Sequence, residues 1–143
     1  MTDGAIACLI RAGWFAGREV QIARDRVRYA AEGYELGPDA EAFLREYSRL
    51  TVDGGERHAI VLNGARATEG IYRELVEEYE SVALTALIPV GEYHLMTIFI
   101  GDDGTFYGGN GPAFGAIGGS VPGLVDWLLN DAEAVLPQRL PNL

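Results

Sequence analysis

The chain has 143 residues, a hydrophobic fraction of 48% and a net charge of −10, from 11 cations against 21 acids. That length and hydrophobicity suit one unit with a real core, read as residues 1–143 with the core over about 3–135 and a tail at 136–143. The acidity excludes a general phosphate-binding surface, because a field of that sign repels nucleic acid and draws cationic partners.

Asp3 suits the cap of a first helix carrying Ile6, Leu9 and Ile10 on one face, and Gly13 suits its end. Cys8 lies on that apolar stripe and reads as a small buried hydrophobe. A lone cysteine makes no internal disulfide. The opening Met1-Thr2-Asp3-Gly4 has no basic stretch before its apolar residues, and no apolar run has membrane-spanning length. The expected compartment is therefore the cytoplasm, without a membrane partner.

A second helix is expected over 20–32, with Val20, Ala23, Val27, Ala30 and Ala31 as its core stripe and Gly33 as its stop. Gly37-Pro38-Asp39 starts a third, with Ala40, Phe43, Leu44 and Tyr47 facing inward. The period then shortens. Residues 50–52 and 58–62 read as strands separated by Asp53-Gly54-Gly55. A fourth helix over 71–82 turns Ile71, Leu75, Val76, Tyr79 and Val82 inward and Glu74, Glu77 and Glu78 to solvent.

Strands follow at 84–90 and 93–100, with a hairpin turn at Gly101-Asp102-Asp103-Gly104 and a return over 105–107. Residues 108–112 read as a loop, and 113–117 as a short strand broken by glycine. Ser120 caps a last helix bearing Val121, Leu124, Val125, Leu128 and Leu129, and the tail from Pro137 is broken by proline. Helices first, strands next and a closing helix indicate an α+β fold with a mainly antiparallel sheet.

All the cations are arginine, and they are unevenly placed. Ten lie at or before Arg73, among 11 acids; from Glu74 to Gln138 there are 10 acids and no cation. Half a domain of one sign is suited to attracting a basic partner, although solubility alone is served by the same charge.

Catalytic signals are sparse. His58 and His94 both fall in expected strands, and there are too few His and Cys at ligand spacing for a zinc site. Gly118-Gly119-Ser120-Val121-Pro122 lacks the spacing of a nucleophile elbow. The glycine-rich stretch from Gly101 to Gly123 has no cation nearer in sequence than Arg73 or Arg139, so it reads as turns rather than a phosphate cradle. Glu92, beside Tyr93 and His94, is the best acid–base candidate and defines an alternative reading as a small enzyme or ligand-binding domain. Arg24, Arg26 and Arg28 form a small basic patch, diluted by Asp25 and Glu32 and read as a solvated helix face. Trp14 and Trp127 suit either the core or an interface.

Several segments together resemble a known family. Ala12-Gly13-Trp14-Phe15-Ala16-Gly17-Arg18 resembles the Ala-Gly-Trp-x-x-Gly-Arg opening of the third subfamily of SUKH superfamily immunity proteins. Ala42-Phe43-Leu44 on a helix resembles its Ala-x-x-Phe-Leu region, and Leu87-Ile88-Pro89-Val90-Gly91-Glu92 its Pro-x-Gly-Glu strand. Asp103-Gly104-Thr105-Phe106-Tyr107 resembles its Asp-x-x-Gly-x-x-Tyr hairpin. The likeness runs from Leu9 to about Leu129. One departure stands at Tyr47-Ser48-Arg49-Leu50, where the family tends to carry Gly-Gly-Leu.

The resemblance implies a mixed sheet flanked by helices, and an antidote that binds a cognate toxin in bacterial polymorphic toxin systems. Many such toxins are nucleases and therefore basic. The implied mechanism is steric and electrostatic occlusion without turnover, cofactor or metal. The expected contacts are Glu74, Glu77, Glu78, Glu92, Asp102, Asp103 and Trp127. The motif positions are Gly13, Trp14, Gly17, Arg18, Pro89, Gly91, Glu92, Gly104 and Tyr107. A regulatory adaptor with a non-toxin partner would share all of these features.

Overall fold

The computed structural model describes residues 3–54, 59–130 and 138–139. The elements run α1 (Asp3–Arg11), α2 (Ala23–Ala31), α3 (Pro38–Tyr47), β1 (Leu50–Asp53), β2 (Ala59–Leu62), α4 (Gly64–Glu69) and α5 (Arg73–Ala83). They continue β3 (Leu87–Tyr93), β4 (Met96–Gly101), β5 (Phe106–Asn110), β6 (Ala113–Gly118), α6 (Val121–Asn130) and β7 (Gln138–Arg139). The fold is α+β, as its element order indicated.

The strands form one sheet in chain order, β1 to β7. Every pairing among the described strands is antiparallel, so no parallel pair of the kind a mixed sheet would add occurs among them. Side chains alternate between faces along a strand, and this assigns the helices to two layers. Ile100 lies opposite Phe106, so Phe99 belongs to the other face. Tyr79 of α5 packs against Phe99 and Phe114, with ring centroids 5.7 and 4.6 Å away. Phe43 of α3 packs against Phe106 at 5.3 Å, on the opposite side of the sheet. α6 joins α3 there, because a Cβ on Gly118, the register partner of Phe106, would lie 2.7 Å from Leu124 N.

α3 buries the four residues its spacing named, Ala40, Phe43, Leu44 and Tyr47. α6 is capped as expected, the Gly123 N–H donating to Ser120 Oγ at 3.1 Å. Cys8 is buried in α1, but the buried face there is Ala5, Cys8 and Leu9, and Ile10 is 57% exposed.

α2 differs most. It begins at Ala23, and its buried residues are Asp25 and Tyr29, while Val27 is 69% exposed. The expected stripe of small residues loses to Tyr29, whose ring buries far more apolar surface. Its hydroxyl donates to Pro89 O at 2.6 Å. α4 has no counterpart among the expected elements. Its signal is Asn63, whose side chain accepts from Arg66 N at 3.2 Å as an N-cap.

The strand boundaries also shift. Leu84 ends α5 in the left-handed conformation with φ 58° rather than opening a strand. Tyr93 closes β3, and His94 (φ 52°) and Leu95 form the turn to β4, so His94 is not a strand residue. His58 lies outside the described residues. Gly108, Gly109 and Asn110 belong to β5 instead of a loop. The core demands glycine at 109, where a Cβ would lie 2.5 Å from the Tyr79 ring; a Cβ on Gly108 would press on the flexible end of Met96, 2.5 Å from its Sδ. Within the tail, Gln138–Arg139 pairs with β6.

Candidate interaction surface

The acidic helix α5 is two-sided. Val76 and Tyr79 anchor it, so Glu74, Glu77 and Glu78 are left in solvent by helical spacing. Arg73 and Glu80 lie between these two sides. Arg73 NH1 donates to Glu80 Oε1 at 3.0 Å, and Glu80 Oε2 accepts from Leu87 N at 2.8 Å. The Arg73 guanidinium also covers the Tyr34 ring, 4.7 Å from its centroid.

Beyond the end of α5, Thr85 Oγ1 accepts from Asp102 N at 3.1 Å and draws the β4–β5 turn alongside. Asp103 Oδ1 accepts from Thr105 N at 3.0 Å and shapes that turn, with Gly104 at φ 82°. A cleft of about 410 Å³ lies between these parts, lined by Tyr34, Glu35, Arg73, Glu80 and Asp102 among others. Asp102 is thereby brought beside the helix that carries Glu74, Glu77 and Glu78. Burial pushes the Tyr34 phenol up to about 12, against the pull of Arg73 and with added push from Glu80, Glu32 and Glu77. Its hydroxyl has no hydrogen-bond partner among the described residues.

Glu92 and Trp127 lie elsewhere, on opposite faces of β3. Glu92 is half-buried under α4, with Oε1 3.1 Å from Arg66 Nε; this is an ion pair without the alignment of a hydrogen bond. Trp127 is half-buried on α6 and meets Tyr93 edge-on at 5.5 Å. His94 also stands edge-on to Tyr93, at 4.4 Å. Glu92 and His94 thus meet different neighbours, Arg66 and Tyr93.

The motif positions hold the frame. Gly13 and Gly17 take φ 109° and 85° in the turn after α1. Between them, Trp14 donates from Nε1 to Glu46 Oε2 at 2.8 Å and stacks near Tyr47. Arg18 donates to the carbonyls of Glu46 and Ser48, at 2.8 Å for the second. Gly91 sits at a register shift in β3, where a Cβ would come within 2.8 Å of Val61 O. Pro89 supplies the carbonyl that holds Tyr29, and Tyr107 stacks on Phe114 at 5.5 Å. Arg49 stands where the family tends to have glycine, and it takes a left-handed φ of 69°.

Among the described residues, no group of three or more His, Cys, Asp and Glu is placed to hold a metal ion, and no helix is long and apolar enough to cross a membrane. Sequence reasoning did not find Tyr34, Arg73 or Glu80, whose signal is a tertiary cleft rather than a local pattern. A family model described as SUKH-3 immunity protein matches residues 1–126. No curated protein and no solved structure matches the chain.

Proposed function

The chain belongs to the SUKH-3 immunity protein family, whose role is toxin neutralisation, and from that premise we propose that it captures a basic cognate toxin through the acidic face of α5 and the β4–β5 turn. One observation carries the reading: Glu74, Glu77 and Glu78 share a solvent face, and Asp102 lies in the cleft beside it. A concentrated field of this sign speeds encounter with a basic surface and competes for a groove built to hold phosphate. Neutralisation is by occlusion in the cytoplasm, with the toxin held and not altered. Residues 1–143 act as one binding unit, and Trp127 and Glu92 contribute to its frame more than to contact.

The test is a titration of the purified toxin with this protein. The toxin's activity should fall linearly to its end point at one equivalent, and light scattering should report a one-to-one complex. Inhibition at far less than one equivalent would mean turnover. Absence of a complex would remove the reading.

A further inference from the structure

The apolar row on α2, Ala23 and Val27, is exposed among the described residues, Val27 by 69%. α2 is anchored through Tyr29 and Asp25, both buried, which leaves Ala23 and Val27 one turn apart on its outer side. Together with Ala65 they floor an open groove of about 610 Å³ between α2 and the start of α4. Arg24, Arg28 and Arg49 also line it, with Asn63 and the carboxylate of Asp25. Arg28 is paired with Glu69, and Arg49 lies 3.4 Å from Asp25, but both arginine side chains remain half exposed. Arg24 has no partner among the described residues.

Two rows thus run side by side along one helix: Ala23 and Val27, and, one residue on, Arg24 and Arg28. We propose that this groove docks an amphipathic helix of a protein partner, whose aliphatic row seats over Val27 and whose adjoining carboxylates meet Arg24 and Arg28. Residues spaced by four on a helix repeat at one turn, so such a helix presents both rows in the same register. The charge on the walls selects an acidic helix. Nucleic acid would meet the same arginines, but its phosphates and sugars have no counterpart for Ala23, Val27 and Ala65, which make part of the lining apolar. The surface is distinct from the acidic face of α5, is lined by other residues, and takes an element of opposite charge. Its failure and that of the toxin reading are therefore separate outcomes.

The experiment is an NMR titration of the full chain with a synthetic helical peptide carrying leucines at i, i+4 and i+7 flanked by glutamates. A second peptide has glutamine at each glutamate. Saturable shifts are expected at Ala23, Val27 and Ala65, with binding about ten-fold weaker for the glutamine peptide. Val27→Asp and Arg24→Glu, both at exposed positions, should each weaken the acidic peptide by about ten-fold and keep a dispersed spectrum. A double variant Arg24→Glu, Arg28→Glu should prefer a lysine version of the peptide. Equal affinity for the glutamate and glutamine peptides, shifts confined to other surfaces, or unchanged binding by Val27→Asp would overturn the proposal. Self-association of the chain that Val27→Asp abolishes would also overturn it, in favour of a second copy as the occupant.

Discussion

Reversing Glu74, Glu77 and Glu78 to Lys together probes the acidic face while leaving its packing alone. All three are exposed, and the buried side of α5 is held by Val76 and Tyr79. Each reversal changes the charge by two, so the net charge moves from −10 to −4. The folding cost is small: Glu74 sits in the first turn of α5, where losing a favourable helix-dipole contact costs about 0.3–1 kcal/mol. Thermal melting should shift by less than about 4 °C. Association should respond far more. At an ionic strength of about 0.01 M the Debye length is about 30 Å, and the encounter rate with a basic toxin should fall by about 10- to 100-fold. At about 0.15 M, where screening sets in by about 8 Å, the two proteins should converge. Dissociation should change less, since an exposed ion pair contributes under about 1 kcal/mol. Stopped-flow association at both salt concentrations, with a circular-dichroism melt as control, makes the measurement. Equal association rates at low salt, with the melt intact, would remove α5 from the encounter surface.

Tyr29 and Tyr79 both donate to a carbonyl at 2.6 Å, but Pro89 O is buried and Gly111 O sits in a half-exposed turn. Tyr29→Phe should therefore cost about 1–3 kcal/mol and Tyr79→Phe about 1 kcal/mol in urea unfolding, and the reverse order would contradict this account. Burial pushes the phenols of Tyr34 and Tyr79 up to about 12. The unfolded chain ionises near pH 10 while the fold holds these phenols neutral, so their stabilisation is complete below about pH 10 and is lost as pH rises toward 12, by up to about 1.4 kcal/mol per pH unit for each. Phenolate absorbance from all the tyrosines near pH 10 in a still-folded protein would refute that. Gly118→Ala pushes a Cβ against the backbone of Gly123 and Leu124; it should cost about 2–4 kcal/mol, read as a drop in melting temperature. Arg49→Gly should relieve about 1 kcal/mol of left-handed strain and yet weaken the acidic peptide at the α2 groove.

The elements most readable in the sequence are those in which one local rule suffices. α3 has a proline start, a clean helical period and no competing bulky residue, and all four inward positions are buried. The cap at Ser120 and the turn before Gly104 are equally local. α2 defeats the same rule because its apolar stripe is made of small residues. Tyr29, off that stripe, passes Gly64 and reaches Pro89 O; a Cβ on Gly64 would overlap its hydroxyl. The glycines of β5 read as a loop because their purpose, room for Tyr79 and Met96, lies on other strands and helices. The acidic stretch was legible as a count, and its exposure on α5 followed from spacing. The cleft beside it was not, since Tyr34, Arg73, Glu80 and Asp102 meet only after three separate segments have packed.

The strands stand in the sheet in the order in which the chain presents them. From β3 to β6 each strand is followed by its partner after a connection of two to four residues. Little loop entropy is lost in closing such pairs, and topologies of this kind fold quickly for their size. At a ribosomal pace of about 5–20 residues per second, each of these strands waits only a second or two for its neighbour to emerge. An antidote protects only after it has folded. A sheet that can be paired in the order of synthesis shortens the interval before this antidote can bind its toxin.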